Sequence, residues 1–330
     1  MPLRFQNILF SKTAGYCYIL LAIINFSGNI VAARAMGDVM PPAMLNMYRW
    51  ALATLFILPF SLGPMWRERR VLKKYFVTVC FLALLGISLF DLFLFIAGQT
   101  TPALNIALIS TLSPLMTAVV ARIFIGEKSS PAMYLGCIVS ICGVAYLVTD
   151  GNWSQLASIQ FGQGDLFVIG TCLMSAAYNT TIKAVSGKIS QRALLGVTFV
   201  LGFVFLIPIF IWDVHSGVEV VEVTNDMWLT LTYLAIGASI LCYFFWNLAV
   251  GIIGATRTTQ FYYIIPLISG LLAWAFLGEP VSATQLQGGV IIFGGILLSM
   301  ISGNSRKRLP QGTHNATSAG AQPSSNPVSP

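Results

Sequence analysis

Ten stretches of mainly apolar residues follow one another along this 330-residue chain, and few folds can accommodate such a pattern. They cover residues 14–33, 43–62, 75–97, 102–125, 131–149, 165–185, 194–212, 228–250, 256–277 and 282–302. A helix rises about 1.5 Å per residue, so about 20 residues cross a hydrocarbon layer about 30 Å thick. Lipid offers no hydrogen-bond partner, and each crossing segment must satisfy its backbone internally, which a helix does. Pro41-Pro42, Pro102, Pro131, Gly254 and Pro280 sit at the boundaries of runs, where tight helix-to-helix turns are needed. Composition closes the soluble alternative. Charged residues make up 9% of the chain, against about 25% in soluble domains, too few to cover a globule of this size. The expected fold class is all-α: a polytopic membrane protein of about ten transmembrane helices.

The net charge of +7 does not point to nucleic acid, because the cations sit in short clusters between apolar runs. With the N-terminus in the cytoplasm, 16 of the 18 Lys and Arg residues fall on the inner side; Arg34 lies outside and Arg49 within the second span. Asp38, Asp150, Asp165, Asp213, Glu219, Glu222, Asp226 and Glu279 fall outside. This agrees with the positive-inside rule and puts both termini in the cytoplasm. The first run is long and lacks a following small-residue cleavage motif, so it reads as a span rather than a cleaved leader. Residues 303–330 are rich in Ser, Pro, Gly, Asn and Gln and are expected to be disordered.

The chemistry available inside the membrane is sparse. All six cysteines lie in apolar runs without metal-ligand spacing, and the two histidines, His215 and His314, lie outside the spans. Asp91 is the only carboxylate near the middle of a span, and no phosphate-binding loop is present. No cofactor, metal site or enzymatic centre is expected. The partners expected are a small-molecule solute and the lipid bilayer; monomer and homodimer both stay open.

Sliding the chain against itself by 152 residues aligns 15 identities in 68 positions across 81–148. They include Pro114 with Pro266, Gly126-Glu127 with Gly278-Glu279, Gly136 with Gly288 and Gly143 with Gly295. At the first helix of each half the offset is 150, pairing Asn29 with Asn179. Five spans per half is odd, so the second half enters the membrane inverted. The chain divides into an N-terminus (1–13), a first five-helix repeat (14–149), an external linker (150–164), a second repeat (165–302) and the tail (303–330). Inverted repeats place a solute site near the midplane between the halves, with alternating access by rocking. The alternative is a membrane scaffold or sensor on the same fold without transport.

The segments "SGNIVAARAM", "MYRWALATL", "ALNIALISTLSPLMTAVVARIFIGEK", "YFFWNLAVGIIGATRTTQFYYIIPLISGLLAWAFLGEP" and "LQGGVIIFGGILL" resemble the EamA-type drug/metabolite transporters over residues 15–302. The resemblance implies ten helices, cytoplasmic termini and a place in the bacterial inner membrane. It further implies export of an amino acid or a related metabolite.

Polar groups inside spans mark the interior, because facing lipid would cost them energy. Asp91 is the first candidate, as a ligand for a substrate amine or a proton-coupling acid, with a structural bond to Arg49 as the alternative. Its repeat mate is Tyr243, and that of Phe95 is Asn247; both pairs are spaced four apart on one helix face. Asn25 and Asn29 share a face of span one, as Ser175 and Asn179 do on span six. Asn105 in span four, with Gln260 and Tyr263 in span nine, precede Pro114 and Pro266. Those two prolines are gating candidates, since proline in a helix frees a carbonyl and permits a kink. Tyr178, Trp246 and Tyr263 can stack on a solute or simply pack. The candidate substrate-binding set is Asn29, Asp91, Asn105, Tyr178, Asn179, Tyr243, Asn247, Gln260 and Tyr263. Glu127 and Glu279, at matched turns, read as helix caps.

Overall fold

The apolar runs become helices whose ends fall largely at the Pro and Gly residues between them. The computed structural model describes residues 11–36, 39–101, 103–157, 160–217, 221–278 and 282–301. The first half comprises α1 (Lys12–Met36), α2 (Pro42–Arg67), α3 (Arg69–Lys74), α4 (Phe76–Ala83), α5 (Phe90–Thr100), α6 (Ala103–Ser110), α7 (Ser113–Ile125) and α8 (Pro131–Val148). A short turn, α9 (Ser154–Ala157), crosses the linker. The second half comprises α10 (Gln163–Val185), α11 (Gln191–His215), α12 (Asn225–Tyr233), α13 (Cys242–Ile253), α14 (Ala255–Thr259), α15 (Ile265–Leu277) and α16 (Ala283–Ile301). Pro42 and Pro131 open α2 and α8, where a missing N–H costs nothing, and the Ser130 side chain caps α8 by accepting from Met133 N at 3.2 Å. Gly126 and Gly278 end α7 and α15 at φ 65° and 71°, a left-handed cap that suits glycine. Among the described residues the only sheet-like pairing is one bridge, Ser186 to Ile189.

Eight stretches are long and apolar enough to span a bilayer: Lys12–Ala32, Phe76–Leu94, Asn105–Ile125, Pro131–Val148, Gln191–His215, Met227–Ile253, Ala255–Phe276 and Ala283–Met300. The other two expected spans are helical, α2 with 26 residues and α10 with 23, but they are less apolar than the eight. The polarity of α10 has a structural reason. Asp165, Thr171, Ser175, Asn179 and Thr180 are buried within the bundle, so this helix sits in protein more than in lipid.

Two features recur at the repeat offset. The helix from α4 to α5 widens into a π-helical stretch at Leu84–Leu89, and the helix from α12 to α13 does so at Leu234–Leu241. The helix from α6 to α7 breaks at Thr111-Leu112, and that from α14 to α15 passes through a 3-10 turn at Gln260–Ile264. Pro114 and Pro266 therefore stand in the first turn of the resumed helices α7 and α15.

Packing shows a pseudo-two-fold axis between the halves. The helix α1 packs on α13 and α15, while α10, its mate, packs on α5 and α7. The pairs α2 with α11 and α8 with α16 lie on the axis. Along α8 and α16 the facing residues are Gly136, Ser140, Gly143 and Leu147 against Gly288, Ile292, Gly295 and Ser299, each the 152-offset mate of one opposite. A Cβ at Gly295 would lie 2.6 Å from the Gly136 carbonyl oxygen, and one at Gly288 would lie 3.1 Å from that of Gly143. Each glycine thus meets the mate of the other, as in an isologous interface. Tyr263 donates its hydroxyl to the carbonyl oxygen of its own mate, Thr111, at 3.0 Å. At the other on-axis pair, Trp50 and Phe199 meet edge to face at 5.1 Å.

The exterior is apolar, and the apolar core also holds polar side chains. Leu55, Phe60, Phe124, Phe276 and Val290 are exposed, while Ser27, Ser88, Thr117, Ser239 and Asn247 are buried. An apolar exterior over a partly polar interior is the arrangement lipid requires. All six cysteines are free, and Cys137, Cys172 and Cys242 are buried as small packing residues.

Candidate functional site

Where α1, the first π-helical stretch, α10, α13 and the 3-10 turn converge, the bundle leaves a cavity. Its second-half wall is Ser175, Tyr178, Asn179, Cys242, Tyr243, Trp246 and Tyr262; its first-half wall is Phe26, Leu85, Gly86 and Phe90. Ser175, Tyr178 and Asn179 project together because positions three and four apart share a helix face. Tyr243 and Trp246 do the same one helix away, just beyond the second π-helical stretch. The wide turn in the opposite wall brings backbone close: Gly86 packs on Tyr178 so tightly that a Cβ there would lie 2.5 Å from the ring.

Hydrogen bonds hold the walls in place. Trp246 Nε1 donates to Asn179 Oδ1 at 2.7 Å, and Asn179 Nδ2 donates to the Ser175 carbonyl at 2.8 Å. Tyr178 donates its hydroxyl to Asn247 Oδ1 at 3.1 Å, and Tyr243 donates to the Gly86 carbonyl at 2.5 Å. The last bond ties the second half to the first across the cavity. Aromatic rings complete the box: Trp246 lies 4.7 Å from Tyr262, Phe26 meets Tyr262 edge-on at 5.9 Å, and Tyr178 meets Tyr243 edge-on at 6.2 Å. The cavity offers about 50 Å3 to water-sized molecules. Small-molecule sites span about 300–1,000 Å3, so a solute needs the walls to part from this conformation.

Of the residues expected from sequence, Tyr178, Asn179 and Tyr243 line this cavity, and Asn247 stands directly behind Tyr178. Asn29 is half-buried on α1 and is not among the lining residues. Asn105 bonds instead to the Gln160 carbonyl at 3.1 Å and to Asp165 Oδ1 at 3.4 Å. Gln260 accepts from Ser299 Oγ at 2.9 Å, next to the α8–α16 seam, and Tyr263 closes the break after α6. Asp91 is in α5, but its side chain lies outside the described residues. Arg49 donates through Nε to Ser239 Oγ at 2.8 Å and sits over the Trp50 ring. Phe26, Gly86, Phe90, Cys242 and Tyr262 were not singled out from sequence; only Gly86, small in both repeats, carried a signal. Glu127 does cap a helix, accepting from Ala255 N at 3.2 Å and Thr256 N at 3.0 Å. Its mate Glu279 lies outside the described residues.

A duplicated helical bundle enclosing an aromatic and amide cavity between its halves invites comparison with known membrane proteins. The family model described as the EamA-like transporter family matches residues 13–149 and 162–301. The chain belongs to this family. Among curated relatives of this EamA-like protein is an uncharacterized transporter of Bacillus subtilis, YyaM, 27% identical over 78% of this chain and 83% of the relative. Another is a probable terminal-alkyne amino-acid exporter of Streptantibioticus cattleyicolor, 22% identical over 85% of this chain and 91% of the relative. A crystal structure shares the fold with a TM-score of 0.70 at 18% identity, covering 88% of this chain and 98% of that one. This EamA-like chain is a multi-pass membrane transporter.

Proposed function

We propose that this transporter exports an amino acid or a closely related metabolite, by alternating access of two inverted repeats around the cavity at Tyr178, Asn179, Tyr243 and Trp246. The observation that carries the reading is that cavity, placed between the halves and lined by aromatic rings with an amide and a hydroxyl. Such walls suit a neutral or aromatic side chain, and among the described residues no Lys or Arg lines the cavity to neutralise a phosphate ester. The similarity to a relative named as an amino-acid exporter supports the same class.

In this reading the helix breaks beside Pro114 and Pro266 bend as the repeats rock, and the cavity widens toward one side at a time. Asp91, one residue after the cavity-lining Phe90, is the proposed coupling acid. The clustering of Lys and Arg supports cytoplasmic termini, and the resemblance to EamA-type transporters supports a bacterial inner membrane. The test is uptake of a panel of labelled amino acids into inside-out vesicles at several pH values, comparing wild type with Asp91→Asn. The expected result is saturable uptake of one class, with pH dependence that Asp91→Asn removes. Absence of uptake across the panel by folded protein would overturn the reading and favour a scaffold.

A further inference from the structure

The basic end of the molecule holds a larger cavity, of about 610 Å3. The loop after α7 contributes Glu127, Lys128 and Ser129; the end of α10 contributes Lys183; the junction of α13 and α14 contributes Gly254, Thr256 and Arg257. Three cations thus face one carboxylate, and that carboxylate is already engaged by two backbone N–H groups. Lys183 donates one N–H to the Gly251 carbonyl at 2.6 Å, leaving two of its three donors open. The termini outside the described residues, 1–10 and 302–330, contain no Asp or Glu to neutralise the excess.

A second observation points to a ligand. Thr256 is 2% exposed, lines this cavity, and its hydroxyl has no hydrogen-bond partner. Its neighbours differ: Thr258 donates to the Gly254 carbonyl at 2.7 Å and Thr259 to the Ala255 carbonyl at 3.2 Å. Thr256 has no helical turn before it, because Gly254, at φ 101°, breaks the backbone just ahead. The Ser129 hydroxyl at the same cavity is likewise buried and unpartnered. Buried hydroxyls without partners are rare unless something else completes them.

We infer that this vestibule is a second solute site, where Lys183, Arg257 and the Thr256 hydroxyl hold the carboxylate of the solute before it reaches the central cavity. The solute class rests on the amino-acid reading above; the anion site itself does not. Glu127 keeps acceptor capacity beyond its two backbone bonds and faces the same space, so an α-ammonium finds its counterpart there.

The test uses the full chain in inside-out vesicles, with Pro131→Cys, at an exposed position lining this cavity, as a reporter and the exposed Cys17 and Cys142 replaced by serine. Anionic and cationic methanethiosulfonates are compared. The anionic reagent is expected to react roughly tenfold faster, because a charged cleft concentrates counter-ions. Arg257→Gln and Lys183→Gln should each bring the ratio toward one. An amino acid of the carried class should slow labelling, its carboxamide should not, and acetate should protect more than inorganic phosphate. Thr256→Val should raise the melting temperature of the ligand-free protein while weakening protection. Equal rates for the two reagents, equal protection by acid and amide, or stronger protection by phosphate would overturn the proposal. So would Thr256→Val that leaves protection unchanged. Anionic preference with protection by acetate but by no amino acid would keep the site and remove the amino-acid reading.

Discussion

The two halves of the molecule are alike in how they pack and unlike in what they present to the cavity. Their helices share the same partners, the same π-helical insertion and the same on-axis seam. At the cavity the first half supplies Phe26, Leu85, Gly86 and Phe90, while the second supplies every described polar lining group. Where the second half has Tyr178, the first has Gly28, whose missing side chain leaves room for the Tyr233 hydroxyl. A duplicated scaffold therefore keeps its symmetry where backbones touch and abandons it at the cavity. Constraint is strict at a seam closer than a methyl group and loose in a cavity that many side chains can line.

Breaking the seam should have the largest effect. Gly295→Ala drives a methyl into the Gly136 carbonyl and should cost about 2–3 kcal/mol, read as a lower melting temperature in detergent. Gly294→Ala, one residue away with nothing within 4 Å, should leave the melting temperature unchanged or slightly higher. Similar losses for both would show that the seam is not the point of symmetry.

Next come the cavity mates. Asn179→Ala leaves the Trp246 N–H without its acceptor, and a lost buried partner of about 1–3 kcal/mol corresponds to roughly 5–150-fold weaker uptake. Its mate substitution, Asn29→Ala, should change uptake by less than about threefold, since such interhelical polar groups contribute little on average. Equal effects from the two would erase the proposed division between the halves.

Smaller effects sharpen the same contrast. Trp246→Phe keeps a ring against Tyr262 but drops the bond to Asn179, and should raise KM by about fivefold, near 1 kcal/mol. Tyr263→Phe removes an on-axis bond outside the cavity, and should lower stability by about 0.5–1 kcal/mol while KM stays unchanged. A shift in KM there would bring span nine into the solute site.

The duplication was legible in sequence because Pro114, Gly126, Glu127, Gly136 and Gly143 have backbone roles that other residues perform poorly, and such residues keep register. The cavity was only partly legible. Asn105, Gln260 and Tyr263 are polar within apolar runs, as Asn179 is, yet they find their partners away from the cavity. Polarity marks the interior of a bundle without separating a pore from a strut. Phe26 and Tyr262 line the cavity, but an aromatic residue in an apolar run carries no sign of which way it faces. Length and flanking charges led to α2 and α10 being expected as spans; both are helices of that length, while eight other stretches are the ones apolar enough to cross a bilayer.

The seam of α8 against α16 also bears on how this chain came to exist. Each of its faces is the complement of the other, so a half-length ancestor meeting an inverted copy of itself would already have possessed the whole interface. Fusion of two such copies would join what otherwise pairs only by chance encounter. In a fused chain, a substitution at Gly136 or Gly295 must be tolerated by a partner on the same chain, whereas Tyr178 and Gly28 answer to no such matched contact. Self-complementarity lies along the axis, and difference beside it.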